Sequence, residues 1–231
     1  MAKRRTSGIQ RRERASSDAL NRRLDDRPSS PLADWRVLAI GGLLVVGAIV
    51  VVLVVLFGSG PNPNAGTAQP DDGRDHTSEG TNCRTDPASC GVSGVPYSSI
   101  PATSGPHWNT PANWGVYATP QNESQLLHNL EHGGVVIWYQ PDQLDEQQLS
   151  ELADYVRTQA SSGISGRFKF ILSPWSGEDF GHPIAVTSWR NLLYLDSVDL
   201  GAIGDFVSAH YGQSPEPNGG PGPGQQTDAM P

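Results

Sequence analysis

The pattern of apolar and polar positions divides the chain into unlike parts. From Val37 to Phe57 runs an apolar stretch of 21 residues with no charge and no proline. As a helix rising about 1.5 Å per residue it is roughly 31 Å long, the thickness of a hydrocarbon core. A helix in a soluble core keeps a polar face, so one transmembrane helix is predicted over 37–57. After residue 80 the pattern is that of a folded domain. Ile100–Pro111 holds too many prolines and turn formers for a helix or a central strand. Trp114–Ala118 reads as a short strand. Leu126, Leu127 and Leu130 mark a helix that Asn122 or Ser124 caps and Gly133-Gly134 ends. Val135–Tyr139 is then a buried strand.

The clearest helix opens at Pro141-Asp142 and runs to about Ala160, with Leu149, Leu152, Ala153 and Val156 at helical spacing. Phe168–Leu172 and Ile184–Trp189 read as strands, and Leu200, Ile203, Phe206 and Val207 as a last helix. The order β-α-β-α-β-β-α predicts an α+β class: a small mixed sheet with helices packed on it, preceded by one transmembrane helix. The same order occurs in thioredoxin-like folds, an analogy of topology only. The predicted organisation is a disordered basic tail over 1–36, the span over 37–57 and a flexible linker over 58–80. The α+β domain follows over 81–212, with a disordered tail over 213–231. His76, in the linker, is expected to be solvated.

Charge adds an orientation. The overall charge is −8, but residues 1–36 carry a net +5 and the remainder −13. The positive-inside rule places the N-terminus in the cytoplasm and the domain outside. The span is too long, and its basic flank too extended, for an ordinary cleaved signal peptide, so an uncleaved signal anchor in the cell membrane is expected. The lipid bilayer is the expected partner of the span, and anionic headgroups that of the tail. The acidic domain repels phosphate, which argues against nucleic acid. Nothing in the chain identifies a protein partner. Cys83 and Cys90, the only cysteines, fall on the outer side, where a disulfide is expected. Their spacing does not suit a redox pair.

The chemistry concentrates in His128-Asn129-Leu130-Glu131-His132-Gly133-Gly134. His128 and His132 are four apart on a helix, so both point from one face and can share an ion. Glu131 borders that face as a ligand, an orienting group or a base. Two ligands make a weak site. His107, in the proline-bracketed loop, or His182, in a Gly-His-Pro turn, completes a three-His set suited to zinc or copper. The competing reading is a non-catalytic envelope or assembly domain in which the same residues form a structural hydrogen-bond network. A third is a metal-dependent hydrolase, since His-x-x-Glu-His matches a zinc-peptidase pattern. Gly133-Gly134 cuts the helix too short for that chemistry. No Gly-x-Ser-x-Gly elbow or phosphate loop occurs, so an enzyme is not the favoured reading.

Four segments in order carry a resemblance. They are Pro101-Ala102-Thr103-Ser104-Gly105-Pro106-His107, Asn113-Trp114-Gly115-Val116-Tyr117, His128 to Val136, and Pro183 to Trp189. The region from about 91 to 209 resembles an uncharacterised bacterial family of membrane-anchored proteins with a domain of unknown function. Its marks are P-x-T-S-G-P-H and L-E-H-G segments. The resemblance implies an extracytoplasmic domain on a single N-terminal span. It also implies that His107, His128, Glu131 and His132 belong together. It carries no activity. Gly177–His182 departs from the short apolar turn expected before Pro183, which ranks His182 below His107.

Overall fold

The computed structural model describes residues 40–42, 45–49, 62–161, 167–223 and 226–228. They belong to two compact units, Met1–Gly60 and Pro61–Pro231. In the first unit, residues 40–42 and 45–49 are helical, with Ile40, Val45, Val46 and Ile49 exposed. No described helix is long and apolar enough to cross a membrane. The rest of the expected 37–57 span and the whole 1–36 tail lie outside the described residues.

The second unit is a mixed α+β domain. Its strands are β1 (Thr67–Ala68), β2 (His76–Thr77), β3 (His107–Trp108), β4 (Trp114–Val116), β5 (Val135–Tyr139), β6 (Phe170–Pro174), β7 (Ile184–Ser188), β8 (Asn191–Leu195) and β9 (Gln226–Asp228). The helices are α1 (Glu123–Glu131), α2 (Glu146–Ser161) and α3 (Leu200–His210). Seven strands form one sheet in the order β1-β8-β7-β5-β6-β4-β9, while β2 and β3 pair separately. The β9-β4-β6-β5 half is parallel, and the β5-β7-β8-β1 half is antiparallel.

Helices cover both faces, so the central strands are apolar throughout rather than alternating. All five residues of β5, β6 and β7 are buried. The pleat sends Val135, Ile137 and Tyr139 toward Leu152, Val156, Ile203 and Phe206 of α2 and α3. Val136 and Trp138 go to the opposite face, with Leu126, Leu127 and Leu130 of α1 and Trp114, Trp175 and Trp189. The Asn122 side chain caps α1 by accepting from Ser124 N–H, and the helix stops before Gly133, whose φ is 79°. Gly134 is also required: a Cβ there would lie 2.4 Å from the Trp114 ring.

The structure departs from the sequence reading in five places. The helix expected to open at Pro141-Asp142 starts at Glu146, because Pro141–Gln143 form a separate 3-10 turn that the extended Leu144 ends. A strand absent from the predicted order, β8, forms a hairpin with β7 through Trp189-Arg190. Neither residue is a turn former, and Arg190 stands at φ 60°. Its backbone is held from outside the hairpin: Arg190 N–H donates to Thr103 O, and Arg190 O accepts from Gln69 N–H. The next strand, β6, starts two residues later than expected, because Tyr211 OH takes the Phe168 and Lys169 N–H groups.

The expected linker is not loose from Asn62 onward. Its β1 pairs with β8 and its β2 with β3. Asp72 accepts from both N–H and Oγ–H of Ser98. The expected disordered tail is likewise docked. Buried Lys169 donates from Nζ to the carbonyls of His132, Pro217 and Gly219, Trp114 Nε1–H donates to Pro221 O, and β9 pairs with β4. Composition marks both segments as low in apolar residues, but they dock through backbone groups that any sequence carries and through a few polar side chains such as Asp72.

Cys83 and Cys90 form the expected disulfide. Deleting residues 213–231 should cost the domain about 2–4 kcal/mol, because buried donors on Lys169 and Trp114 lose their acceptors. Urea denaturation of the truncated and full chains measures the difference, and equal midpoints would mean the tail contributes nothing.

Candidate metal centre

Three pieces of chain build the site, and each is tied to the next by buried polar contacts. The first is the last turn of α1, with His128 and Glu131. The second is the loop before β3, which ends in His107. Asn129 clamps the chain that follows β3 to α1: Ala112 N–H donates to Asn129 Oδ1 at 2.9 Å, and Asn129 Nδ2–H donates back to Ala112 O at 2.8 Å. At the other end of α1, Glu123 accepts from Ala102 N–H and from Arg84 at 2.7 and 2.8 Å. Tyr97 OH donates to Pro106 O, and burial pushes this phenol up, so it stays a donor.

The third piece is the 70–77 segment. The β2–β3 pairing is parallel, with His76 opposite His107 and Thr77 opposite Trp108. Opposed residues of a parallel pair point to the same side, so this register sets the two imidazoles together. Their ring centroids lie 4.9 Å apart, and those of His76 and His128 also 4.9 Å apart, with the latter rings stacked. One ring nitrogen from each of His76, His107 and His128 lies within 4.8 Å of the other two.

The hydrogen bonds define which nitrogens are available. His107 Nδ1 lies 2.8 Å from Gly105 O, and His128 Nδ1 lies 2.6 Å from Trp108 O. A carbonyl only accepts, so each Nδ1 carries the hydrogen and each neutral ring keeps its lone pair on Nε2. A backbone carbonyl on the far nitrogen is the usual way a metal-binding histidine is oriented. Burial pulls the His107 imidazole down and His128 to about 4, so both are neutral near pH 7.

Glu131 is 1% exposed. Its Oε2 lies 3.1 Å from His107 Nε2 and 3.4 Å from His76 Nε2. Among the described residues no lysine or arginine pairs with it. A buried carboxylate therefore faces the lone pair of a neutral imidazole. That contact is repulsive unless a cation lies between them. A tetrahedral ion with bonds of about 2.0–2.1 Å has ligand–ligand edges of about 3.3–3.4 Å. The two Glu131 separations are close to that edge, while the three imidazole nitrogens, within 4.8 Å of one another, would have to draw in to close on an ion.

Of the residues singled out in the sequence, the structure brings His107, His128 and Glu131 together. His132 lies beside them, its ring centroid 4.6 Å from that of His128. It caps α1 rather than continuing it, and its Nδ1–H donates to Glu216 O in the docked tail. Gly219 and Gly220 of that tail lie against its ring, and a Cβ on Gly219 would approach within 2.2 Å. His182 stands apart: it pairs with Asp196 at 2.7 Å and stacks on Tyr194. The sequence reading missed His76. Its position depends on a two-residue strand pairing across 31 positions, and no local pattern announces that.

The depressed His128 sets a pH dependence for the metal-free protein. Its unfolded chain takes up a proton near pH 6.5, whereas the folded chain resists until about 4. The unfolded state thus binds more protons in this window, and stability is lost as pH falls from 6.5 toward 4. Urea midpoints in chelator should fall across that range, and His128→Gln should flatten the slope. An unchanged slope would show that His128 titrates normally in the folded chain.

No curated protein and no solved structure matches this chain. Residues 89–223 match a sequence family described as a protein of unknown function, DUF3105. The match takes in His107, His128, Glu131 and His132, as well as the docked tail to residue 223, but not His76. By this match, over more than half its length, the chain belongs to the DUF3105 family.

Proposed function

We propose that this is a single-pass membrane-anchored protein whose extracytoplasmic domain binds one divalent transition-metal ion, zinc or copper. His76, His107 and His128 are the nitrogen ligands and Glu131 is the oxygen ligand. The observation that carries the reading is the buried Glu131 carboxylate facing the lone-pair Nε2 of His107. A proton shared between the two groups is the alternative, and metal uptake by the whole chain distinguishes it from the ion. His132 adds a fifth group of the same kind, because its Nδ1–H is committed to Glu216 O. The chain's two cysteines are oxidised together, and its two methionines are Met1 and Met230. The donor set is thus nitrogen and oxygen without sulfur, which suits Zn(II) or Cu(II) better than Cu(I).

Anchoring and compartment rest on the apolar run of Val37–Phe57, its basic flank, and the disulfide, which favours an oxidising space. The basic tail would lie against anionic headgroups of the bilayer. The sheet order β4-β6-β5-β7-β8, with α1 and α2 as the crossovers of its parallel part, supports the thioredoxin-like comparison at the level of topology. It transfers no redox activity, because the disulfide lacks the spacing for it. Holding or sensing an ion accounts for these residues without a substrate, so we assign the site to metal handling rather than turnover.

Elemental analysis of the purified whole chain after zinc or copper loading and desalting should find one equivalent. His107→Ala and His128→Ala should weaken binding by more than about 100-fold, beyond the roughly 10–100-fold cost of losing an outer partner. Well under one equivalent, unchanged in these variants, would sink the proposal. The structural-network reading would then predict that His128→Ala lowers the melting temperature equally with and without chelator.

A further inference from the structure

The ligands of the proposed centre are not equivalent. The His107 and Glu131 side chains are 0% and 1% exposed, whereas the His76 side chain is 46% exposed. His107 and His128 are each pinned through Nδ1 by a backbone carbonyl. Among the described residues, His76 Nδ1 has no hydrogen-bond partner; its one polar contact is through Nε2, at 3.4 Å from Glu131, and its ring otherwise packs only on the His107 and His128 rings. The histidine that faces solvent is therefore also the one whose ring is least oriented.

Its backbone, by contrast, is fastened on one side only. Gly105 N–H donates to Gly73 O, His107 N–H to Asp75 O, and Asn109 N–H to Thr77 O. Asp72 makes the shortest side-chain contacts of the segment that leads into His76, beside the longer pairs of Asp71 with Arg190 at 3.5 Å and of Arg74 with Glu216 at 4.0 Å. Asp72 accepts from Ser98 N–H at 2.8 Å and from Ser98 Oγ–H at 2.6 Å, and its own N–H donates to Ser104 Oγ at 2.9 Å. Ser104 Oγ–H in turn donates to Pro70 O at 3.2 Å. The segment sits on the same Pro101–His107 loop that presents His107, so its docking sets where His76 stands relative to the buried ligands.

Resting on the metal-binding reading above, we infer that His76 is the exchange ligand of the centre. The ion enters and leaves on the solvent side when its bond to His76 breaks and water takes the place of the imidazole, while His107, His128 and Glu131 stay in position. Asp72 is a positioning residue: by fastening the 70–77 segment it governs how often His76 leaves. This makes the site one that gives up its ion to an external acceptor without unfolding, which suits handling of an ion.

The test uses the whole chain loaded with Co(II), whose absorption bands report the ligand set, and stopped-flow release to excess EDTA. Asp72→Asn should release the ion about tenfold faster, the scale of losing an outer partner, with the bands at their original wavelengths. His76→Ala should still take up the ion but release it about 10- to 100-fold faster. The remote Asp196→Asn should match the parent. A purely structural role for Asp72 would lower the melting temperature of the chain without changing the release rate, and that result overturns the inference. So does loss of all uptake in His76→Ala, which would make His76 a holding ligand. Parental release rates in both variants would overturn the exchange route and leave metal binding intact. Failure of the parent chain to take up Co(II), Zn(II) or Cu(II) would overturn both.

Discussion

A carboxylate buried at the end of α1, with no arginine or lysine among the described residues to balance it, is the constraint around which this domain is arranged. Glu131 is 1% exposed and is approached by two imidazoles. Burying a charge costs several kcal/mol unless it is paired. The domain does contain a buried cation close by, Lys169, but it is directed to the carbonyls of His132, Pro217 and Gly219 instead. Burial pulls this ammonium down as well. The two nearby buried charges thus do different work: Lys169 holds the tail, and Glu131 is left to the imidazoles.

The surrounding architecture serves to keep the His107 and His128 imidazoles neutral and aimed. Carbonyls from Gly105 and Trp108 hold the far nitrogens of His107 and His128. The loop carrying those carbonyls is locked by Asn129 on one side and by the Glu123–Arg84 pair on the other. Cys83 N–H donates to Ser124 Oγ, which also contacts Tyr97 OH, so the disulfide loop is bonded to the same end of α1. Few of these contacts are apolar. The sheet and helices supply the rigidity, and a buried polar network supplies the aim.

Much of the scaffold was legible along the chain. The strand Val135–Tyr139 has the bounds its apolar run predicts. The three helices follow their spacing and stop signals, with Asn122 capping α1 and Gly133 just beyond its end. Periodicity reports burial, and burial of these elements is what makes the core. The hairpin partner β8 was not legible, because its turn at Trp189-Arg190 is held by Thr103 and Gln69 rather than by turn residues. The 62–80 and 213–223 segments were misread for a related reason. Their composition predicts no core, and they contribute none; they dock through backbone hydrogen bonds and a few polar side chains such as Asp72, whose partners composition does not record.

The candidate site divides along the same line. Sequence alone determined that His128 and Glu131 share the end of one helix, because helical geometry is local. It also singled out His107 by its motif, and it supplied the donor chemistry, nitrogen and oxygen without free sulfur. Tertiary structure decided that His107 meets Glu131, that His76 completes the group, and that His182 does not. It also decided which ring nitrogen carries the lone pair. These depend on strand register and on single backbone carbonyls, and both are properties of how distant segments pack.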